Sequence, residues 1–355
     1  MSYSQLHKPL TAAPMTIARQ LVSTKSIEAL VADANNSSLV RTLGAMDLIL
    51  MGIGAVVGSG IFVLPGQAAA LFAGPAVMLA FVIAGVVAAL AGLCYAELAS
   101  IVPVSGSSYT YAYATVGELA AWIVAWNVVL GAIVSVAAVG QGWTSYFLAM
   151  IGRYAGSDPH DWNRLITQTP IDDSMTATGS IMNLPAMLIL LCVGVLVIFG
   201  TKKSTMINTV VVTLKLGVII LVTICLFTKL DTNHLKPFLP PRGVNPLGVE
   251  SYGVQGLFKA SSFVFFAYLG FDMISTTAQE CKRPARDLPI GIIGSLTICT
   301  ILYILVCFGM TGTVDYTELN VLHPISLIVE KGTFPPFFSG FYSVANVSHA
   351  SCSFF

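Results

Sequence analysis

Long apolar stretches alternate with shorter polar connections along most of this 355-residue chain. A helix that crosses a lipid bilayer needs about 20 mostly apolar residues. Seven stretches meet this criterion, at residues 43–70, 75–100, 119–150, 183–200, 206–228, 258–278 and 289–312. The pattern therefore predicts an all-α, multi-pass membrane protein.

The first apolar stretch contains a cluster of residues that disfavour a continuous helix. Residues 51–65 read MGIGAVVGSGIFVLP, with four glycines and one proline. Each glycine costs about 1 kcal/mol relative to alanine inside a helix. Non-helical backbone at membrane depth is tolerated only where it is buried in protein or lines a cavity. We therefore expect a discontinuous first span.

A break of this kind offers binding groups of both polarities. The N-terminus of the second half-helix presents free N–H groups that suit a carboxylate, and the C-terminal end of the first half presents carbonyls that suit an ammonium. The break thus predicts a site for an α-amino acid zwitterion. Close helix packing remains an alternative, because Gly54 and Gly58 have the GxxxG spacing.

The sixth apolar stretch repeats the pattern. Its sequence FFAYLGFD, from Phe265 to Asp272, places Gly270 between aromatic residues in mid-segment. Broken segments at corresponding positions of two halves indicate the binding site of a transporter built from inverted repeats. An aromatic packing cluster with a mild kink is the alternative.

Lys215 lies nine residues into the fifth stretch, about 13 Å deep at the helical rise of about 1.5 Å per residue. A charge at this depth is expensive and is expected to face the bundle interior. Desolvation makes Lys215 a candidate proton carrier. A structural pairing with a carbonyl of a broken helix is an alternative that is compatible with this role.

Composition narrows the function. The chain is 55% hydrophobic and only 10% charged, whereas soluble domains are about 25% charged. Its seven cysteines form no CxxC or Cys/His cluster, so we expect no metal, disulfide framework or cofactor. All five histidines lie outside the apolar stretches, so Ser59 has no intramembrane base and an enzyme is not predicted. Balanced charge gives no indication of nucleic-acid binding.

Basic residues indicate the orientation. Short connections carry Lys202–Lys203 and the cluster Lys282, Arg283 and Arg286, on the side where the N-terminus lies. Positive charge in short loops marks the cytoplasmic face. We therefore expect residues 1–42 to be a disordered cytoplasmic tail, in a plasma or internal membrane.

Five motifs now form one pattern: GIGAVVGSGIFVLPG, CYAELASIVPVSGSSYTYAYATVGELAAW, VVVTLKLGV, FFAYLGFDMISTTAQE and CKRPARDLPIGI. Together they resemble the cationic amino-acid transporter branch of the amino acid–polyamine–organocation permease superfamily, over about residues 40–312. The resemblance implies an inverted-repeat fold of five plus five helices. Residues 43–228 would form the first repeat and residues 258–312 an incomplete second repeat.

The resemblance also implies roles for individual residues. The substrate carboxylate would meet the break at Gly58, Ser59 and Gly60, through the backbone N–H groups of the last two. Its ammonium would meet the carbonyls of Val56, Phe266, Ala267 and Leu269. Phe271 would close over the ligand as a gate. Lys215 would couple transport to protons, in the place that a sodium ion occupies in sodium-coupled relatives.

Two departures from the family pattern stand out. An acidic Glu-Tyr pair is replaced by Gly131-Ala132 after Trp126, which argues against a preference for cationic side chains. Apolar stretches for an eighth to a tenth span are not found, so we expect residues 313–355 to be a divergent, truncated tail. Truncation, alternative splicing and a flawed gene prediction all fit this end.

We therefore predict a secondary active amino-acid permease, coupled to protons and working by alternating access in a lipid bilayer. The alternative is a non-transporting truncated form that associates with full-length permease chains. Proton-driven uptake separates the two.

Overall fold

The computed structural model describes residues 21–35, 41–58, 60–155, 183–198, 204–319 and 324–328. The α-helices are α1 (Ile27–Asn35), α2 (Ala45–Val56), α3 (Gly60–Ala68), α4 (Val77–Ile101), α5 (Ser107–Thr115), α6 (Glu118–Ala155), α7 (Leu184–Ile198), α8 (Ser204–Thr228), α9 (Gly253–Val264), α10 (Met273–Thr276), α11 (Pro284–Thr313) and α12 (Pro324–Ile328). A π-helical turn covers Ala69–Ala73, and 3-10 turns cover Gly74–Ala76, Phe265–Tyr268, Ala278–Glu280 and Tyr316–Leu319. A two-stranded antiparallel hairpin pairs β1 (Gly243–Val244) with β2 (Glu250–Ser251).

Helices occupy all seven predicted apolar stretches. Among the described residues, four helical stretches are long and apolar enough to cross a membrane: Gly60–Ile101, Glu118–Ser145, Gly253–Thr276 and Pro284–Thr313. Three shorter apolar helices accompany them, at Ala45–Val56, Leu184–Val195 and Val212–Thr228. The prediction of a helical multi-pass protein agrees with this architecture.

The core forms where α11 packs against α4 and α2. Small residues bring these helices together. A Cβ added to Gly52 of α2 would lie 2.6 Å from the Ser295 side chain of α11, and one added to Gly291 of α11 would lie 2.7 Å from the Leu48 side chain of α2. Both distances are below van der Waals contact, so this packing depends on glycine.

Helix α6 lies at the periphery, and its long apolar face, including Trp122 and Trp126, is exposed. A polar contact joins it to α7. The Asn183 amide donates to Gln141 Oε1 at 2.8 Å, and the Thr144 hydroxyl donates to Asn183 Oδ1 at 3.1 Å. The same Asn183 oxygen accepts from the Ala186 N–H and so caps the start of α7.

One end of the bundle gathers the start of α2 and the connection between α10 and α11. The Thr42 and Leu43 N–H groups donate to the Glu280 carbonyl at 2.9 and 3.0 Å, and the Lys282 N–H donates to the Leu43 carbonyl. Part of the segment expected to be a disordered tail is also ordered here, since α1 buries Leu30. Residues 1–20 and 36–40 lie outside the described residues.

The hairpin closes the opposite end over the π-helical turn. Polar groups of the hairpin region donate to carbonyls of this turn. The Asn245 amide donates to the Leu71 carbonyl at 3.0 Å, and the Tyr252 hydroxyl donates to the Ala70 carbonyl at 2.6 Å. The second half of the first span is thereby anchored.

Candidate functional site

The first apolar segment is interrupted where the glycine pattern predicts. Helix α2 ends at Val56 and α3 begins at Gly60. The Gly58 N–H turns back to the Val56 carbonyl at 2.9 Å, which ends the helical ladder. Ser59, predicted to bind the substrate carboxylate, lies outside the described residues.

The sixth segment is interrupted over a longer stretch. Helix α9 tightens into the 3-10 turn Phe265–Tyr268, and Leu269 then adopts an extended conformation. Gly270 has a φ of 117°, in a region that residues with a Cβ rarely adopt. The chain becomes helical again at Met273.

The two breaks touch each other. A Cβ on Gly270 would lie only 2.7 Å from the Ala55 carbonyl oxygen, so the backbones of both segments approach at this point. On the other half of the first span, a Cβ on Gly60 would lie 3.9 Å from the Cα of Ala267. The fold therefore brings the two predicted half-sites together.

Lys215 reaches the first break from α8. Its side chain is 1% exposed, and Nζ donates to the carbonyls of Gly54 at 3.1 Å and Val57 at 2.5 Å. The lysine thus contacts the carbonyl end of α2, where the helix dipole favours a cation. The pairing with a helix-break carbonyl, one of the two roles considered from the sequence, is present.

Tyr303 on α11 links both breaks, and sequence reasoning missed it. Its side chain is fully buried, with the hydroxyl 2.7 Å from the Ala267 carbonyl and 3.3 Å from the Val56 carbonyl. A tyrosine in the middle of an apolar span could have been noticed, because a buried tyrosine hydroxyl usually has a partner.

The predicted carbonyl ligands are already engaged within the protein. The Ala267 carbonyl accepts from Tyr303 at 2.7 Å, and the Phe266 carbonyl accepts from the Leu269 N–H at 3.2 Å. The Val56 carbonyl accepts from the Gly58 N–H at 2.9 Å and lies 3.3 Å from the Tyr303 hydroxyl. A carbonyl oxygen has two lone pairs, so Ala267 and Phe266 keep capacity for a second donor, whereas an ammonium group at Val56 would replace Tyr303. An ammonium group at this site would therefore join an existing network.

Phe271 lies directly after Gly270 and is 6% exposed. Its ring contacts Tyr95 of α4 edge to face, with centroids 5.5 Å apart, and Tyr95 contacts Tyr111 of α5 at 6.1 Å. These three rings pack together beside the second break.

The arrangement offers polar backbone, one ammonium group and hydroxyls. No group of three or more His, Cys, Asp or Glu side chains that could hold a metal is found among the described residues. The polar groups that the two breaks present at this centre are therefore mainly those of the backbone, which carry partial charges of both signs.

The fold and site define a helical membrane protein with two interrupted spans that meet at a polar centre. The sequence profile described as amino acid permease matches residues 43–349, and the chain belongs to this family. With the apolar helices described above, it is a multi-pass integral membrane protein.

Individual relatives carry several transporter names. The chain is 40% identical over 306 residues to the methylthioribose transporter of Bacillus subtilis, covering 86% of this chain and 62% of that protein. It is 40% identical over 309 residues to the branched-chain amino acid permease of the same organism, covering 86% and 63%. It is 36% identical over 280 residues to cationic amino acid transporter 5 of Arabidopsis thaliana, covering 79% and 45%. The chain thus spans less than two thirds of the length of these relatives.

Proposed function

We propose that this protein is a secondary active amino-acid permease that binds its substrate between the two breaks and couples transport to protons. The observation that carries the proposal is the contact between the breaks, with Lys215 on one side and Tyr303 joining both. Amino acid permease family membership supports it, as do two relatives whose names include amino acids.

Recognition in this proposal uses the backbone. The N–H groups at Ser59 and Gly60 bind the carboxylate, and the carbonyls of Val56, Ala267 and Leu269 bind the ammonium. Both groups are common to all α-amino acids. Side-chain preference must then come from other residues. The replacement of the family's acidic pair by Gly131-Ala132 favours neutral side chains over cationic ones. This preference rests on the sequence alone, since the structure leaves Ala132 exposed on the peripheral helix α6.

Proton coupling is assigned to Lys215. The ammonium form holds two carbonyls of the first break. Loss of a proton would weaken both hydrogen bonds, because a charged donor bonds about twice as strongly as a neutral one. The first break would then be free to change shape, which is the step that alternating access requires.

The wider architecture belongs to the same proposal. Residues 43–228 form the first repeat and residues 258–312 part of an inverted second one, with the N-terminus in the cytoplasm. Reagents that do not cross membranes test the orientation, by labelling a cysteine introduced at the exposed Lys282 in sealed vesicles. Labelling from the outside of right-side-out vesicles would contradict a cytoplasmic location.

Substrate binding is tested with the purified chain and a panel of ligands. Leucine and lysine share the zwitterion and differ in side chain, whereas methylthioribose, named in a relative, has no zwitterion. We expect leucine to raise the thermal unfolding midpoint more than lysine does, and methylthioribose to have no effect. Stabilisation by methylthioribose alone would contradict backbone recognition of a zwitterion.

Transport is tested separately in proteoliposomes. We expect uptake of labelled leucine to follow an inward proton gradient and to fall when a protonophore removes the gradient. An uptake rate that is the same with and without the proton gradient would contradict proton coupling. Binding without any uptake by the purified chain would instead favour the alternative role as a partner of other permease chains.

A further inference from the structure

A cluster of hydroxyl groups next to the second break has no part in the transport scheme above. The Ser275 hydroxyl of α10 is 2.6 Å from the Asp272 carbonyl and 2.7 Å from the Ser107 hydroxyl. Ser107, at the start of α5, also donates to the Asp272 carbonyl at 3.3 Å. Both serines are buried. The cluster therefore joins α5 to the second half of the sixth span.

Ser107 is held in a strained conformation. Its φ is 47°, in the left-handed region that residues with a Cβ seldom adopt. Such strain persists only where surrounding contacts impose it, and it is often associated with function. The Ser107 hydroxyl is held by its hydrogen bonds to Ser275 and Asp272. We expect the start of α5 to relax when these bonds are lost.

A second residue of α5 lies at the same contact. Tyr111, one helical turn further along α5, is 3% exposed, and its hydroxyl interacts with the hydroxyl of Ser275. The strain at Ser107 favours opening, whereas the contacts of Ser275 favour closure.

The other end of α5 is attached to a different part of the chain. The Lys25 N–H donates to the Tyr113 carbonyl at 3.4 Å, and the Glu118 N–H donates to the Ser23 carbonyl at 3.1 Å. The far end of α5 therefore stays tethered when the serine pair opens. This geometry allows a hinged movement of the Ser107 end.

We propose that Ser107 and Ser275 form a clasp that holds α5 over the second break, and that its opening releases substrate at the end of the bundle where α2 begins. The aromatic rings of Phe271, Tyr95 and Tyr111 pack beside the second break. Movement of α5 withdraws Tyr111 from these rings. The proposal rests on the proposed transport function, and two measurements keep them apart.

Amide hydrogen exchange across α5 reports whether the clasp is closed, and the experiment needs no transport activity. Removing one buried hydrogen bond with Ser275→Ala should raise amide exchange across residues 107–115 by about 3- to 10-fold. Ser107→Ala should also raise exchange, because each substitution removes the bond between the two hydroxyls. The effects of the two should be less than additive in the double variant, because that shared bond is lost only once. The matched control is Ser261→Ala, since the buried Ser261 hydroxyl donates to the Leu257 carbonyl of its own helix.

The control variant should leave exchange over residues 107–115 unchanged. Equal exchange in Ser275→Ala and wild-type protein would overturn the clasp. Additive effects of the two serine substitutions would overturn it as well, because they would show two independent contacts.

A cross-link then tests whether the clasp must open. In the double variant Ser107→Cys/Ser275→Cys, oxidation should form a disulfide, which peptide mapping identifies alongside the native cysteines. We expect the linked protein to bind leucine and to lose uptake, with recovery after reduction. Each single cysteine variant, oxidised in the same way, is the control.

The outcomes separate the two proposals. Unchanged uptake by fully linked protein would overturn the clasp and leave the transport function intact. If the unlinked protein also fails to transport, the proposed function fails, and the exchange measurement alone decides whether the clasp exists.

Discussion

The two breaks hold their free carbonyl groups in different ways. In the first, a buried ammonium group, that of Lys215, donates to Gly54 and Val57. In the second, a neutral phenol, that of Tyr303, donates to Ala267. The partner of the first break is thus charged, and the partner of the second break is neutral.

The breaks also differ in how the backbone is bent. The first passes through Val57 at a φ of −76°, which any residue adopts. The second needs Gly270 at a φ of 117° against the Ala55 carbonyl. This difference suggests a division of roles: the first break responds to charge, and the second fixes the shape of the site.

Gly270→Ala should have the largest effect. The new Cβ would be strained at this φ and would also clash with the Ala55 carbonyl 2.7 Å away. We expect a loss of roughly 3 kcal/mol or more in unfolding free energy. The thermal unfolding midpoint in detergent and substrate binding should both fall.

Gly217→Ala is the matched control for that substitution. Gly217 lies inside α8, and a Cβ there would meet nothing within 4 Å. Alanine is favoured over glycine in a helix interior by about 1 kcal/mol. The control should therefore be neutral or slightly stabilising. A Gly270→Ala protein as stable as this control would show that the second break does not depend on its backbone conformation.

Lys215→Met is expected to have the next largest effect. The substitution removes the donor from two buried carbonyl groups, which destabilises the fold, and it removes a buried charge, which stabilises the fold. We expect the unfolding free energy to fall by about 2 kcal/mol overall. Transport should respond differently from stability. Uptake driven by a proton gradient should disappear, whereas exchange of one amino acid for another should persist.

The exposed Lys229, just after the end of α8, provides a control for the loss of a positive charge. Lys229→Met should leave both uptake and exchange unchanged. If the Lys215 variant keeps gradient-driven uptake, then the charged partner of the first break is structural only, and the contrast between the breaks loses its functional meaning.

Much of this architecture follows from the sequence. The hydrophobic pattern predicts all seven apolar helical segments, because a chain that crosses a bilayer must satisfy its backbone hydrogen bonds internally and a helix does so. The break between Val56 and Gly60 follows from glycine density. The depth of Lys215 in its span indicates an inward-facing partner.

Other features depend on contacts between segments that are distant in the chain. Tyr303 meets Ala267 and Val56 only because α11 packs against both broken spans. Likewise, the local sequence around Ser107 does not predict its contact with Ser275, which lies 168 residues further along the chain. Single-sequence patterns report local periodicity and carry no information on such pairings.

Tyr303→Phe should have a smaller effect than Lys215→Met, because it removes a neutral donor. We expect a loss of about 1.5 kcal/mol, as the Ala267 carbonyl loses a buried partner. Leucine should also bind more weakly to this variant. The affinity should fall by the same factor at about pH 6 and about pH 8, since neither a phenol nor a backbone carbonyl titrates in that range. Tyr109→Phe, at an exposed ring, is the control. An effect that varies with pH would show that the second break is also linked to protons.

Tyr252→Phe should have the smallest effect, because it touches neither break directly. Its hydroxyl donates to the Ala70 carbonyl in the π-helical turn that follows the first break. Removing this bond should cost about 1 kcal/mol at neutral pH. Substrate affinity should be unchanged if the hairpin only anchors the end of the first span.

The stability difference between wild-type protein and the Tyr252→Phe variant should change with pH in one direction. Burial, with smaller contributions from Tyr316 and Asp315, raises the pKa of Tyr252 from 10.0 to about 12. The unfolded wild-type chain therefore ionises at this residue before the folded protein does. Wild-type stability from this residue is complete below about pH 10 and is lost as the pH rises towards 12. The phenylalanine variant has no such loss, so the gap between the two unfolding midpoints should narrow over this window. A gap that stays constant would mean that the Tyr252 hydroxyl is open to water, and the hairpin would then be a loose cover on the first span rather than its anchor.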